Sequence, residues 1–181
     1  MLNIFKEDKL DKRDNINLLI LIMIFSGIFG FIYETIFYRI DLGYFVKRGS
    51  TYGPWIPIYV FGGLFISILT YRYKDKPLLV FLLGTIISCI LEYGTEYVFY
   101  EFFNTRLWDY NKEIWNFGNI NGYICLRSVL FFGISGLFLV YLVIPLLIKL
   151  INKIKGSFLN KFCIIIMALF VIDVFTYMII N

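Results

Sequence analysis

The chain has 181 residues, 60% of them hydrophobic and 20% aromatic, with a net charge of +4 and a mean hydropathy of +0.77. A soluble domain is about 45–50% apolar; here the excess falls into blocks long enough to cross a bilayer, which takes roughly 20 helical residues. The absence of histidine excludes histidine metal ligands, histidine bases and Ser-His triads, and the basic residues flank apolar blocks instead of forming a face for nucleic acid.

Residues 1–15 are mixed in charge and read as a cytoplasmic N-terminal segment, with residues 16–181 as one transmembrane domain. The apolar run that follows residue 15 is too long and too aromatic for a cleaved signal peptide, so it reads as a retained first span. The spans are expected at about 17–40, 54–71, 77–99, 122–148 and 162–180. The fold class is therefore all-α, a polytopic transmembrane bundle of about five spans. Cys89, Cys125 and Cys163 all lie in apolar blocks without metal-ligand spacing, and read as small buried hydrophobes.

Eleven lysines and arginines fall in the N-terminal segment and in the 2–3 and 4–5 connections, against five on the other side, with Arg127 inside a span. The positive-inside rule then expects the N-terminus in the cytoplasm and the C-terminus outside, in the plasma membrane. Both long connections, about 41–53 and 100–121, face outward in this arrangement.

Span one ends Glu34-Thr35-Ile36-Phe37-Tyr38 and span three ends Glu96-Tyr97-Val98-Phe99-Tyr100. Each leads into a long outer loop and then a glycine-bearing span, so a duplicated two-helix unit is one reading. Chance likeness between aromatic-rich helices is the other. Small residues near one-turn spacing, such as Ser26 and Gly30 or Gly133 and Gly136, let helices approach closely within a chain or between two.

Charges inside apolar spans are costly and require partners or a task. Glu92 and Glu96 are four apart and share a helix face, where two carboxylates repel unless one is protonated or a cation intervenes. Arg127 is the available cation, expected to pair with Glu34, Glu92 or Glu96. The functional reading is an outward-opening polar cavity; the structural one is an internal salt bridge with snorkelling side chains. Asp173 is a further intramembrane acid without a cation at helical spacing. In Pro54-Trp55-Ile56-Pro57 two prolines three apart block regular helix, so a broken or re-entrant start to span two competes with an ordinary proline start. The loop containing Trp108-Asp109-Tyr110 and Trp115-Asn116-Phe117 reads as a lid or as an interfacial anchor.

In order along the chain stand Gly30 and Glu34, Arg48-Gly49, Gly53-Pro54, Pro57-Ile58-Tyr59, Gly62, Leu91-Glu92-Tyr93, Trp108-Asp109-Tyr110, Phe117, Asn121-Gly122, Ile124-Cys125-Leu126 and Gly133. In these the sequence resembles the CmpB-type ABC-transporter permeases, small membrane proteins found mainly in Gram-positive bacteria, over about residues 25 to 145. Such permeases usually carry a basic residue directly after the Asn-Gly pair. Tyr123 stands there in this chain, with Arg127 four residues on, which suggests a cation moved one turn deeper on the same helix face.

The resemblance implies a transport component of the plasma membrane. The chain lacks a G-x-x-x-x-G-K-[ST] phosphate loop, so an ATPase would be a separate subunit, and a five-span chain implies a homodimer or larger assembly in the bilayer. Glu34, Glu92 and Glu96 are the expected acidic groups of a substrate or ion site and Arg127 its cation, with Arg48, Trp108, Asp109 and Asn121 at its mouth. No catalytic or metal-binding residue and no cofactor is assigned. The rival readings are a membrane enzyme acting on a lipid or isoprenoid, and a structural or regulatory membrane subunit.

Overall fold

The computed structural model describes residues 10–154 and 156–180. Most of the N-terminal segment, with Lys6 and Lys9, and also Lys155, lies outside them. The described chain forms five helices: α1 (Lys12–Leu42), α2 (Pro57–Thr70), α3 (Pro77–Phe103), α4 (Leu126–Ile154) and α5 (Ser157–Ile180). All except α2 are long and apolar enough to cross a membrane. The start of α1 and the 2–3 and 4–5 connections gather at one end of the bundle; the two long loops lie towards the other.

Local chemistry sets the helix ends. The Asp11 side chain accepts from the Asp14 amide at 2.7 Å and caps α1, which closes on Gly43 at φ 81°, a left-handed position that glycine adopts without a side-chain clash. Pro57 and Pro77 open α2 and α3, where a missing N–H costs nothing. Pro145 lies inside α4 and cannot donate to the Tyr141 carbonyl. The helix meets this by widening to π-helical turns over Leu139–Val143 and then continues to Ile154.

α2 has 14 residues, a length of about 21 Å against a hydrocarbon core of about 30 Å. The expected second span therefore begins at Pro57 and falls short. The missing depth is supplied by the loop 43–56, which turns back beside α1 until the Ile56 amide donates to the Gly27 carbonyl at 3.2 Å. Gly27 lies 15 residues before Leu42, about 22 Å down the helix. Both expected features are found: α2 opens on Pro57 as an ordinary proline start, and the loop before it turns back beside α1. Backbone at such depth needs partners, and Asp173 of α5 accepts from the Tyr52 amide (2.9 Å), the Gly53 amide (2.8 Å) and the Trp55 indole (2.6 Å). Asp173 thus fastens the descending loop.

The other helices run longer than expected. α3 reaches Phe103, and α4 runs from Leu126 to Ile154. Small residues set the close approaches within the chain. A Cβ on Gly30 would lie 2.1 Å from Tyr59 Cγ, and one on Gly84 would lie 3.6 Å from the Gly133 Cα. The core runs the length of the bundle, from Tyr59 and Phe132 to Ile144, Ile151 and Cys163. α3 packs on α4 and α2, and α1 on α2, on α5 and on the last part of α4, Ile144–Ile154; the first part of α4, Leu126–Phe138, has little direct helix packing with α1.

Candidate functional site: a charged cavity under the long loop

The loop 104–125 closes over one end of the bundle. It is held by Trp108 Nε1 donating to the Tyr123 carbonyl (2.9 Å), the Tyr110 amide to Gly122 (3.1 Å) and the Leu126 amide to Phe117 (2.7 Å). Gly122 sits at φ +80°, and a Cβ there would lie 2.5–2.7 Å from Asn111, Arg106 and Asp109, so this turn requires glycine. Beneath the loop lies a cavity of about 30 Å³, space for about a water molecule. Its charged walls come from four places in the chain: Glu34 on α1, Arg48 on the descending loop, Glu92 on α3, and Glu113 with Arg127 at the long loop and the start of α4.

Two acids in the cavity have cations. Arg48 Nε donates to Glu34 at 3.0 Å. The Arg48 guanidinium lies 3.6 Å from the Tyr38 ring centre, within cation–π range. Arg127 donates to Glu113 at 2.5 Å and lies 3.8 Å from the Phe37 ring centre. The Tyr38 hydroxyl donates to the other Glu113 oxygen. Burial lifts the Glu113 pKa above the usual glutamate value, against the lowering pull of Tyr38 and Arg127. One tyrosine therefore joins the two ion pairs into a single network.

Glu92 differs from both. It is 4% exposed, and its oxygens accept from the Tyr110 hydroxyl and the Ser128 hydroxyl, each at 2.7 Å. Burial first, and then the neighbouring Glu92, holds the Tyr110 pKa well above the usual phenol value, so Tyr110 serves as a donor. Among the described residues, no cation bonds Glu92. Three carboxyls and two guanidiniums face the cavity, and Glu92 is the acid left over.

The expected pairing of Arg127 is corrected. It binds Glu113, which sequence reading missed, and none of Glu34, Glu92 or Glu96. Glu113 stands in a polar loop between Lys112 and Ile114, where a carboxylate looks like an ordinary solvated charge; only the fold shows it 8% exposed. Glu96 is also turned away from the cavity. It is fully buried, and one oxygen accepts from the Leu107 amide at 3.1 Å, so it anchors the start of the long loop. Asp109 bonds Arg106 (3.0 Å), the Asn111 amide (3.1 Å) and Lys112 (3.4 Å). Asn121 accepts from Arg106 through its backbone carbonyl at 3.4 Å. Both build the loop and do not line the cavity, while Trp108 and Arg48 do line it.

The expected relocation of the cation is also different in detail. Tyr123 lies in the turn before α4, and Arg127 in that helix's first turn, so the two do not share a helix face. The cation beside the Asn-Gly turn is Arg106, whose guanidinium lies 5.6 Å from the Tyr123 ring centre and 4.4 Å from that of Tyr100. Among the described residues, no group of three or more Cys, Asp or Glu is placed to hold a metal ion.

The model of a family described as "Putative ABC-transporter type IV", the CmpB type, matches residues 20–178, a stretch that contains the whole cavity. No curated protein and no solved structure matches the chain significantly.

Proposed function

The chain belongs to the family described as "Putative ABC-transporter type IV", and on that premise we propose that it is the membrane-embedded permease component of a transporter, with the network around Glu92 as its substrate or ion site. The observation that carries this reading is Glu92 itself. A carboxyl on a membrane-spanning helix, bonded only to hydroxyls while its neighbours Glu34 and Glu113 each have an arginine, is costly to keep for stability alone. It is the group with capacity for an incoming proton, cation or basic substrate group. Glu34, Arg48, Glu113 and Arg127 shape the field around it, and Trp108 and Tyr110 close the site from the loop side.

The site faces outward if the basic end of the bundle lies in the cytoplasm, as the positive-inside rule expects. ATP hydrolysis belongs to a separate subunit, since this chain has no phosphate-binding loop. A pair of chains gives a permease with ten helices. The test is affinity purification from the native host in mild detergent, followed by mass spectrometry of stoichiometric partners. An ATPase recovered with the chain supports the permease reading. A chain recovered without any ATPase overturns it.

A further inference from the structure

The first part of α4, Leu126–Phe138, meets α1 mainly through aromatic rings. Along α1, Phe25, Phe29, Tyr33 and Phe37 recur every four residues on one face. Phe131 and Phe138 of α4 stack into this row: Phe29 to Phe138 at 5.7 Å, Phe29 to Phe131 at 6.2 Å and Tyr33 to Phe131 at 3.6 Å between ring centres. Phe25 and Phe138 are 37% and 39% exposed, so this seam reaches the bundle's lateral surface, where the bilayer would lie.

Two cavities lie behind the seam. The upper one is the charged cavity. The lower one, also about 30 Å³, is lined by Phe25, Phe29 and Phe138 with the small residues Ser26, Gly63 and Ser135. Tyr59 and Phe132, stacked at 4.8 Å, line both cavities and separate them. A polar chamber with both charge signs thus continues, past one pair of rings, into an apolar chamber, and the wall beside both is made of side chains instead of packed backbone.

We propose that the substrate is an amphipathic lipid with a zwitterionic headgroup, admitted sideways through the α1–α4 seam, with its headgroup in the charged cavity and its chain in the lower one. This inference rests on the permease reading and specifies its substrate. The headgroup follows from the two unmet capacities of the upper cavity. Among the described residues Glu92 has no cation, which suits an ammonium, and Arg127 Nε is buried without an acceptor, which suits a phosphate oxygen. Aromatic walls around the acids favour an ammonium further. The apolar lower chamber excludes a wholly polar solute. Both cavities are smaller than a headgroup or chain, so binding turns the seam rings outward into space that lipid would otherwise fill.

The test uses the full chain in vesicles of phosphatidylethanolamine and phosphatidylglycerol, extracted in mild detergent and examined by native mass spectrometry. Phosphatidylethanolamine retained at one per chain is the expected result. Ser135→Phe, which fills the lower chamber, should reduce that retention about tenfold or more, while Ile172→Phe on the exposed face of α5 leaves it unchanged. Glu92→Gln should keep lipid bound and erase the preference for phosphatidylethanolamine. A second measurement needs no variant: phosphatidylethanolamine with a photoreactive diazirine in its chain should label the peptides carrying Ser26 and Ser135. Loss of retention in Ile172→Phe as large as in Ser135→Phe, or labelling confined to the exposed face of α5, overturns the proposal. So does retention of phosphatidylglycerol in equal amount. None of these readouts involves ATP, so failure of the lipid proposal and absence of an ATPase partner are separately visible.

Discussion

Glu113 and Arg127 offer the sharpest energetic test of the site, because both are shielded and each is the other's counter-charge. Their side chains are 5% and 15% exposed and meet at 2.5 Å. Glu113→Gln leaves a guanidinium in low dielectric without its counter-charge, beside the Phe37 and Tyr110 rings, 3.8 and 5.6 Å from their centres, and the Cys125 sulfur at 4.0 Å. Breaking one half of such a pair costs about 3–5 kcal/mol. For a chain of this size that is about 6–20 °C in melting temperature, at about 2–4 °C per kcal/mol. Arg127→Gln should cost a similar amount, since it strands Glu113. The double variant removes both charges, so its loss should be close to that of one single change and well below the sum. Melting in detergent followed by tryptophan fluorescence measures all four proteins. Single losses under about 1 kcal/mol, the range of exposed pairs, or strictly additive losses, would refute the claim of a buried, coupled pair.

Further predictions concern the descending loop, the helix contact below it and the long loop. Asp173→Ala removes the acceptor of the part-buried Gly53 amide and Trp55 indole, at about 1–3 kcal/mol for each buried group left unmet, so proteolysis within 43–56 should accelerate; an unchanged cleavage rate would show that Asp173 does not fasten this loop. Gly30→Ala places a Cβ 2.1 Å from the buried Tyr59 ring and should lower stability by about 1–3 kcal/mol, and a neutral result by thermal melting would contradict the tight α1–α2 contact. For Asp109, burial raises the pKa, but the Asn111 amide and side chain, Lys112 and Arg106 outweigh it and hold the carboxyl below the usual aspartate value. A depressed folded-state pKa stabilises above the unfolded value and is lost as pH falls through the folded one. The long loop should therefore loosen on acidification from about pH 4 downward. Trp108 fluorescence, read in a Trp55→Phe, Trp115→Phe background, should report this transition, and Asp109→Asn should abolish the Asp109-linked part of it.

The helical architecture was legible because apolar blocks near 20 residues leave few alternatives, and Pro54 and Pro57 marked where regular helix fails. The shortness of α2 was harder to see, because Trp55 and Ile56 extend its apolar run although they belong to the descending loop. α4 was cut short in the sequence reading because Lys149 and Lys153 resemble an interfacial stop, yet helix continues through both. In the site, Glu34, Arg48, Glu92, Trp108 and Arg127 were found because charge and indole groups in or beside apolar segments stand out. Glu113 did not stand out, since its burial depends on a 22-residue loop folding over α1. Asp109 and Asn121 show the converse. Their polar, turn-forming chemistry looks like a binding motif in sequence, and in the fold it is spent on holding the loop together through Arg106. Asp173 had no visible partner because its partners, two backbone amides and the Trp55 indole, lie 118–121 residues away.

The central claim is that Glu92, the cavity acid to which no arginine is paired, is the working group of a permease. It is tested most directly by purifying the chain with its ATPase partner, reconstituting the complex in phosphatidylethanolamine vesicles, and comparing ATP hydrolysis for wild type and Glu92→Gln. The account predicts that the variant folds, keeps its partner and loses the lipid-stimulated part of the hydrolysis. A Glu92→Gln complex that hydrolyses ATP with the full stimulation of wild type would contradict it.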